Sequence, residues 1–288
     1  MTGLAATKSE KVSVSGVSVE VRRIAAPTAA LLGSSTIVFL HEGLGSVAMW
    51  RDFPELLCQA TGRPGLVFSR RGYGQSDPIP DVRGAGRLTP DYMHSEACDV
   101  LPELLRAEGI TRPILLGHSD GGTIALLHAA KFDVKACIVM APHLFVEDIS
   151  IKAINATREA FEHGTLRDRL TKFHTHVDCA FWQWNDIWLS EGFRSFNIQA
   201  ECRQITCPIL AIQGHDDPYG TMAQINALCI TSDDTQPDLS SQIDALLTQN
   251  MRRVLLKLEQ CGHSPHKDQT QKVLSSISEW LALIRATP

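Results

Sequence analysis

The sequence lacks the features that mark secreted, membrane-spanning or disulfide-bonded proteins. None of its eight cysteines forms a C-x-x-C pair, so we expect buried, reduced thiols rather than disulfides. No apolar run approaches the roughly 18 residues that a membrane span needs. The first residues, MTGLAATKSEKV, have neither the basic nor the apolar region of a signal peptide. These absences predict a cytoplasmic protein that does not bind a membrane.

Basic clusters are also lacking. The net charge is −5, and basic pairs such as Arg22-Arg23 and Arg70-Arg71 stay isolated, so we expect no nucleic-acid partner. The length of 288 residues, with 44% hydrophobic and 20% charged residues, suits one large globular domain or a core domain with an insertion. Neither the charge nor the composition distinguishes a monomer from a homodimer, and both oligomeric states remain possible.

Short apolar runs recur along the chain and alternate with helical patterns. A polar and apolar alternation around Ser15-Gly16 predicts an antiparallel hairpin. Six further runs predict buried strands: TIVFLH (36–41), GLVFSR (65–70), PILLGHS (113–119), KACIVMAP (135–142), PILAIQG (208–214) and RRVLLKLEQCG (252–262). Strands and helices in alternation are typical of an α/β fold. We predict a mostly parallel, twisted sheet of eight strands with helices on both faces.

Residues 146–205 break this rhythm, because their pattern is mostly helical and contains no buried-strand run. We interpret them as a helical lid inserted after the sixth strand, on a core domain made of residues 1–145 and 206–288. A second irregular stretch, CITSDDTQPDLSSQIDALLTQNM (229–251), predicts a polar surface insertion or an extended helix pair, with no visible chemistry.

The stretch LLGHSDGGTIAL joins a predicted strand directly to a helical pattern. Gly117 and Gly121 flank Ser119 at a spacing of two, which is the pattern of a sharp, strained turn where small neighbours relieve crowding. Such a turn exposes the serine oxygen and puts its backbone at a helix N-terminus, where free N–H groups can bind a developing oxyanion. We therefore predict that Ser119 is a nucleophile.

A serine hydroxyl is a weak nucleophile at neutral pH and needs a base, which should follow an acid late in the chain. His263, directly after the last predicted strand, is the predicted base, whereas His266 fits the start of the next helix better. Asp217 is the predicted acid, because it occupies the fourth position of a G-x-x-D turn after the preceding strand. Asp216 stays the alternative.

The same chemistry needs two N–H donors that receive the negative charge of the tetrahedral intermediate. We predict the backbone N–H of Asp120, the residue after the nucleophile, as one donor. The other is predicted to be the N–H of Gly43 in the loop HEGLGS (41–46), because glycine lets the backbone approach a substrate oxygen closely.

These motifs resemble those of the α/β-hydrolase fold superfamily, in the same order and over nearly the whole chain. The matching stretches are HEGLGS, SRRGYGQSD, GHSDGG, GHDDPYG and CGHSPH. The resemblance implies a Ser119–His263–Asp217 triad that works through an acyl-enzyme, with no metal and no organic cofactor. Two positions depart from the family pattern. Glu42 stands where glycine is usual, and Ser69 replaces an acidic residue, so no pairing of residue 69 with Arg71 is expected.

A small-molecule substrate needs a pocket near this triad. His143, just beyond the sixth predicted strand, and the lid residues Trp182, Trp184 and Trp188 are the candidate pocket residues. The tryptophans fit a lid core as well as a roof that excludes water. The stretch FHTHVD (173–178) does not predict a metal site, because residues two apart on a helix point in different directions.

The substrate class leaves three possibilities. LGSVAMW (44–50) is similar to a stretch of enol-lactone hydrolases, which favours a serine esterase or lactonase acting on a small carboxylic ester. The second possibility is a C–C bond hydrolase or lyase resembling the meta-cleavage product hydrolases or cyclohexadiene carboxylate synthase. The positions soon after the predicted nucleophile turn, 122–126, read GTIAL without the synthase's arginine, and His118 stands where the hydrolases have asparagine. The third is a ligand receptor on the same fold.

Overall fold

One sheet organises the part of the chain that the computed structural model describes, which is residues 9–26, 35–229 and 253–286. Within these ranges it has eight strands: β1 Glu10–Val14, β2 Val17–Ile24, β3 Ile37–Leu40, β4 Gly65–Ser69, β5 Ile114–His118, β6 Ala136–Met140, β7 Ile209–Gly214 and β8 Arg253–Leu258. Their spatial order is β1-β2-β4-β3-β5-β6-β7-β8. The pairs β1–β2 and β2–β4 are antiparallel and the other described pairs are parallel, so the predicted mostly parallel α/β sheet is confirmed. The predicted insertion at 229–251 lies, apart from Cys229, outside the described residues.

Helices cover both faces of this sheet. Residues along each central strand alternate between two apolar clusters, so both faces are apolar and both are buried by helices. In β3, Val38 and Leu40 face one cluster while Ile37 and Phe39 face the other. The α-helices of the described residues are α1 Phe53–Thr61, α2 Tyr92–Ser95, α3 Leu101–Ala107, α4 Asp120–Lys131, α5 Asp148–Glu162, α6 Leu166–Leu170, α7 Val177–Trp188, α8 Gln199–Cys202, α9 Ala223–Asn226, α10 Pro265–Asp268 and α11 Thr270–Ala286. A π-helical stretch, Glu96–Val100, joins α2 to α3, and short 3-10 helices form at Val47–Trp50 and Glu191–Ser195. The helix α4 packs in the first cluster, and α1 and α11 pack in the second.

The segment between β6 and β7 carries α5 to α8 and contains no strand longer than a single bridge. That bridge pairs Phe145 with Asn197, and the N–H of Ile198 donates to the carbonyl of Leu144 at 2.7 Å. Both ends of the helical segment are thereby held at one point on the core. Its side chains join the apolar cluster of α4 rather than forming a separate one. The division into a core of 1–145 and 206–288 and a lid of 146–205 stays a prediction.

A buried carboxylate explains how Ser69 is accommodated in place of an acidic residue. Glu20 of β2 lies opposite Ser69 in the sheet register, and the Ser69 hydroxyl donates to its Oε2 at 2.7 Å. The same hydroxyl accepts the N–H of Val47 at 2.9 Å, and the N–H of Gln75 donates to Glu20 at 2.9 Å. The acid is therefore supplied by a neighbouring strand. The side chain of Arg71 instead donates to the carbonyl of Pro78.

The state of the cysteines and the apolarity of the helices are two further features of the described residues. All eight cysteines lie in the described residues and carry free thiols. In the described ranges, no helix combines the length and the apolarity that crossing a bilayer requires.

We expect Ser69→Ala to lower the free energy of unfolding by about 1–3 kcal/mol, because it leaves the buried Glu20 carboxylate and the Val47 N–H without their partner. Urea unfolding followed by circular dichroism measures the change. The matched control is Ser275→Ala, at an exposed position on α11, which should leave the unfolding midpoint in place. Equal midpoints for both variants would show that the Glu20 network does not depend on Ser69.

Candidate active site

A strained turn presents Ser119 between β5 and α4. Its backbone has φ 52° and ψ −121°, in the left-handed half of conformational space that non-glycine residues avoid. The turn is held from both sides, since the Ser119 N–H donates to the carbonyl of Met140 at 2.9 Å and its carbonyl accepts the Thr123 N–H at 3.0 Å. The hydroxyl is therefore fixed above the carboxyl end of the parallel strands.

The two flanking glycines are required by close contacts between main chains. A Cβ on Gly117 would lie 2.1 Å from the carbonyl oxygen of Gly121, and a Cβ on Gly121 would lie 2.1 Å from that of Leu40. Both obstacles are backbone atoms that cannot move aside as a flexible side chain would. The spacing of the glycines in the sequence thus follows from the packing of β5, α4 and the end of β3.

The structure brings three predicted residues together. His263 Nε2 lies 2.9 Å from Ser119 Oγ, and His263 Nδ1 lies 2.8 and 2.9 Å from the two carboxylate oxygens of Asp217. The alternative acid, Asp216, is exposed. His266 is the second residue of α10 and packs its ring against Trp50 at 4.9 Å between ring centroids, so it is not the imidazole that contacts Ser119.

Polar groups of β7 and the following turn hold Asp217. Gln213 Nε2 donates to Asp217 Oδ2 at 2.7 Å, and the N–H of Tyr219 donates to Oδ1 at 2.8 Å. Burial alone would raise the pKa of this carboxyl, but the hydrogen bonds and charge of His263 and the Tyr219 N–H bring the pKa below its ordinary value. The Tyr219 ring also packs on the His263 ring, at 4.7 Å between centroids. Gln213 was not foreseen, although a lone amide inside the apolar run PILAIQG was a usable signal.

Two backbone N–H groups near Ser119 have no internal acceptor among the described residues. The N–H of Asp120 is at the first position of α4, where helix geometry leaves donors free. The N–H of Gly43 lies in the loop after β3, and that loop packs against the Ser119 turn through Leu40 and Gly121. A Cβ on Gly43 would lie 2.2 Å from Nε1 of Trp184, so a larger residue here would collide with helix α7.

Two of the three predicted tryptophans reach this region. Trp184 covers Gly43, and Trp188, one turn further along α7, donates its indole N–H to a carboxylate oxygen of Asp120 at 3.2 Å. His143 lies edge-on to Trp188, with 4.9 Å between ring centroids, and 5.8 Å from the ring of His263. Burial lowers the pKa of His143 to about 3, so its imidazole is neutral.

Trp182 lies elsewhere. Two guanidinium groups lie near its ring, that of Arg83 at 3.8 Å and that of Arg158 at 5.4 Å from the ring centroid. Residues two apart on a helix are separated by about 200° around its axis, whereas residues four apart share a face. Trp184 and Trp188 therefore face the Ser119 region, and Trp182 faces the guanidinium groups.

The carboxylate of Asp120 was not foreseen as part of the site. It is fully buried and accepts the hydroxyl of Tyr92 at 2.7 Å as well as the Trp188 indole N–H. Arg70 lies 4.0 Å away, with its guanidinium donating to the carbonyls of His41 and Glu42. Burial raises the pKa of Asp120, opposed by the charge of Arg70 and by these hydrogen bonds. The residue after the nucleophile thus connects α4 with α2 and α7.

The histidines of FHTHVD do not converge. The N–H of Gly74 donates to His174 Nδ1 at 3.0 Å, and His174 Nε2 lies 3.0 Å from the carbonyl of Leu44. Asp178 forms a two-point ion pair with Arg167. Both side chains are therefore engaged in protein contacts that tie the loops together.

Comparisons with known proteins identify the family and the fold of the chain. Residues 37–275 match the sequence model of a protein family, the alpha/beta hydrolase family. The serine hydrolase BPHL of Mus musculus is 29% identical over 225 residues, which cover 74% of this chain and 72% of that protein. The sn-1-specific diacylglycerol lipase ABHD11 of Danio rerio is 34% identical over 96 residues, and the chain spans only 27% of its length. The crystal structure of the enol-lactonase from Burkholderia xenovorans LB400 has a TM-score of 0.64 at 16% identity and covers 95% of this chain and 100% of that one, a likeness that shows the fold.

We expect the stabilising contribution of Asp217 to depend on pH. Because its folded pKa lies below the ordinary value of about 3.9, the contribution is complete above about pH 5 and is lost as pH falls through the folded pKa. Urea unfolding at pH 7, 5, 4 and 3 measures it. The gap in free energy of unfolding between wild type and Asp217→Asn should be constant from pH 7 to 5 and shrink below about pH 4.

The neighbouring Asp216→Asn provides the control for this experiment, because its carboxylate is exposed and lies outside the contact with His263. Its unfolding curve should follow wild type at each pH. A gap for Asp217→Asn that stays the same at pH 3 would contradict the lowered pKa.

Proposed function

The chain belongs to the alpha/beta hydrolase family, and we propose that it is a serine hydrolase that cleaves a small carboxylic ester or a lactone. The observation that carries this proposal is the hydrogen-bonded series from Ser119 Oγ through His263 to Asp217, with distances of 2.9 and 2.8 Å. A serine on a strained turn, a histidine within reach of its proton and a buried acid behind the histidine are the parts that acyl transfer needs.

In the proposed mechanism, Ser119 Oγ attacks the substrate carbonyl carbon while His263 Nε2 takes the hydroxyl proton. The backbone N–H groups of Asp120 and Gly43 receive the negative charge that forms on the carbonyl oxygen. His263 then returns the proton to the leaving oxygen, the C–O bond breaks, and an acyl-enzyme remains. A water molecule, deprotonated by His263, releases the acid and restores the Ser119 hydroxyl. Asp217 orients the imidazole and stabilises its charged form. These reaction steps require neither a metal nor an organic cofactor.

We propose that His143, Trp184 and Trp188 line the pocket for the acyl or the alcohol group. Both indoles are nearly fully buried, at 6% and 1% exposure, and the neutral His143 adds no charge, so these residues favour a small, uncharged group at the reacting carbon. The stretch LGSVAMW and the fold of the Burkholderia enol-lactonase support a lactone among the substrates. The free thiols support a reducing, cytoplasmic location.

A fluorophosphonate probe tests the nucleophile, because it labels serines that a neighbouring base activates. Wild type should be labelled, Ser119→Ala should not, and His263→Gln should react at least ~10³-fold more slowly. Ser275→Ala, at an exposed position on α11, should be labelled like wild type. Labelling of Ser119→Ala at the wild-type rate would show that another residue is the nucleophile.

A substrate panel tests the reaction class. Short acyl esters and five- or six-membered lactones should be turned over with kcat values that Ser119→Ala reduces by at least ~10³-fold. Vinylogous diketones that report C–C cleavage should be turned over more slowly than the esters. Faster C–C cleavage would assign the protein to that class instead. Tight binding of a small ligand without turnover of any substrate would show a receptor.

A further inference from the structure

A second group of polar side chains lies on the opposite flank of the nucleophile motif and was not needed for the proposed mechanism. It consists of Glu42 in the loop after β3, His118 at the end of β5, and Lys267 in α10. Each is next to a residue of the proposed machinery or shares its turn: Glu42 precedes Gly43, His118 precedes Ser119, and Lys267 follows the His263 turn. The first two side chains are removed from solvent, with 16% and 1% exposure.

His118 connects this group to the histidine itself. Its Nε2 lies 2.6 Å from the backbone carbonyl oxygen of His263, so the imidazole donates a hydrogen bond to the main chain of the proposed base. The two imidazole rings lie 5.1 Å apart, with an angle of 46° between their planes. His263 is therefore held at two points: Asp217 contacts its ring, and His118 contacts its main-chain carbonyl.

Glu42 in turn connects His118 to a cation. One carboxylate oxygen lies 3.4 Å from His118 Nδ1, and the other lies 3.3 Å from Nζ of Lys267. Burial opposes ionisation of Glu42, but Lys267 and His118 outweigh it and lower the pKa well below its ordinary value, which keeps the carboxylate charged. The carbonyl of Glu42 accepts hydrogen bonds from Arg70 at 3.2 Å and from the ring of His41 at 2.6 Å. Its main chain is thus fixed in addition to its side chain.

Aromatic rings cover the His118 end of the group, whereas Lys267 at the other end is exposed. His266 packs on His118 at 4.9 Å between ring centroids and on Trp50 at 4.9 Å. His266 is only 2% exposed, and burial lowers its pKa well below the ordinary value, so that ring is neutral. At the buried His118, removing a hydrogen-bond donor leaves its acceptor without a partner, which costs more than at the surface.

We propose that Glu42 and His118 are positioning residues that hold the main chain of His263 and the Gly43 loop in register with Ser119. This inference rests on the proposed function. The Glu42 carboxylate lies against the His118 imidazole without a hydrogen bond to its Nδ1, and the imidazole donates to the His263 carbonyl. These three groups belong to separate segments of the chain, and each segment supplies a reacting or charge-binding group of the proposed mechanism. The contact with His118 gives a reason for a glutamate where the family pattern has glycine.

The test compares two side chains of similar size at position 118. Gln in His118→Gln keeps an N–H donor at about the reach of Nε2, whereas Leu in His118→Leu has none. We expect His118→Leu to lower kcat for a short acyl ester by about 10- to 100-fold with KM within about twofold, since it moves the base and not the substrate contacts. His118→Gln should recover most of that loss.

Position 42 adds a second, independent comparison. Glu42→Gln alone should lower kcat less than His118→Leu, and adding Glu42→Gln to His118→Leu should cost little more, because both act through the His263 main chain. An exposed ion pair of the same type, Arg112 with Asp133, gives the control. Asp133→Asn should leave kcat and KM unchanged.

Labelling by the fluorophosphonate probe separates this inference from the proposed function. If wild type is labelled and His118→Leu is labelled equally fast, the positioning role is wrong while the proposed function stands. If His118→Gln and His118→Leu lose activity equally and in proportion to a fall in Tm, His118 is a folding residue and the inference is also wrong. If wild type is neither labelled nor active, the proposed function fails and takes the inference with it.

Discussion

The meeting of three main chains at the Ser119 turn is the constraint on which the site depends. The end of β3, the end of β5 and the first turn of α4 approach so closely that no Cβ fits at Gly117 or Gly121. This packing holds Ser119 at a positive φ of 52°, where the backbone is strained and the side chain takes no part in capping α4. Such strain persists only where the surroundings over-determine it. The apolar strands on both sides of β5 supply that support.

Buried carboxylates connect the remaining elements to this turn. Glu20, Asp120 and Asp217 are each at most 6% exposed, and each accepts hydrogen bonds from more than one group, because an ionised group without partners is costly inside a protein. Donors from distant segments reach all three: Ser69 and Gln75 for Glu20, Tyr92 and Trp188 for Asp120, and His263 for Asp217. Asp217 is held in addition by Gln213 and Tyr219 of its own turn. The acids therefore join strands, turns and helix α7 around one centre.

Helix α7 shows how one element serves both packing and the candidate site. Trp184 and Trp188 share the face of α7 that covers Gly43 and Asp120, while Trp182 contacts Arg83 and Arg158 from another face. Helical periodicity decides this division. The aromatic side chains of α7 and the proposed charge-binding N–H groups are consequently adjacent, so a change in α7 would alter the space beside Ser119.

The sequence by itself determined the order of strands and helices along the chain. Apolar runs of strand length and the glycines around Ser119 are local patterns that can be recognised without knowing which segments pack together. It also narrowed the acid to two adjacent aspartates, of which the structure buries Asp217 and exposes Asp216. Only the tertiary structure decided which partners meet. Ser69 donates a hydrogen bond to Glu20, the carboxylate of Asp120 accepts from Tyr92 and Trp188, and His118 donates to the His263 carbonyl. These pairs lie 28 to 145 positions apart in the chain, and no local pattern encodes a contact that the sheet order creates.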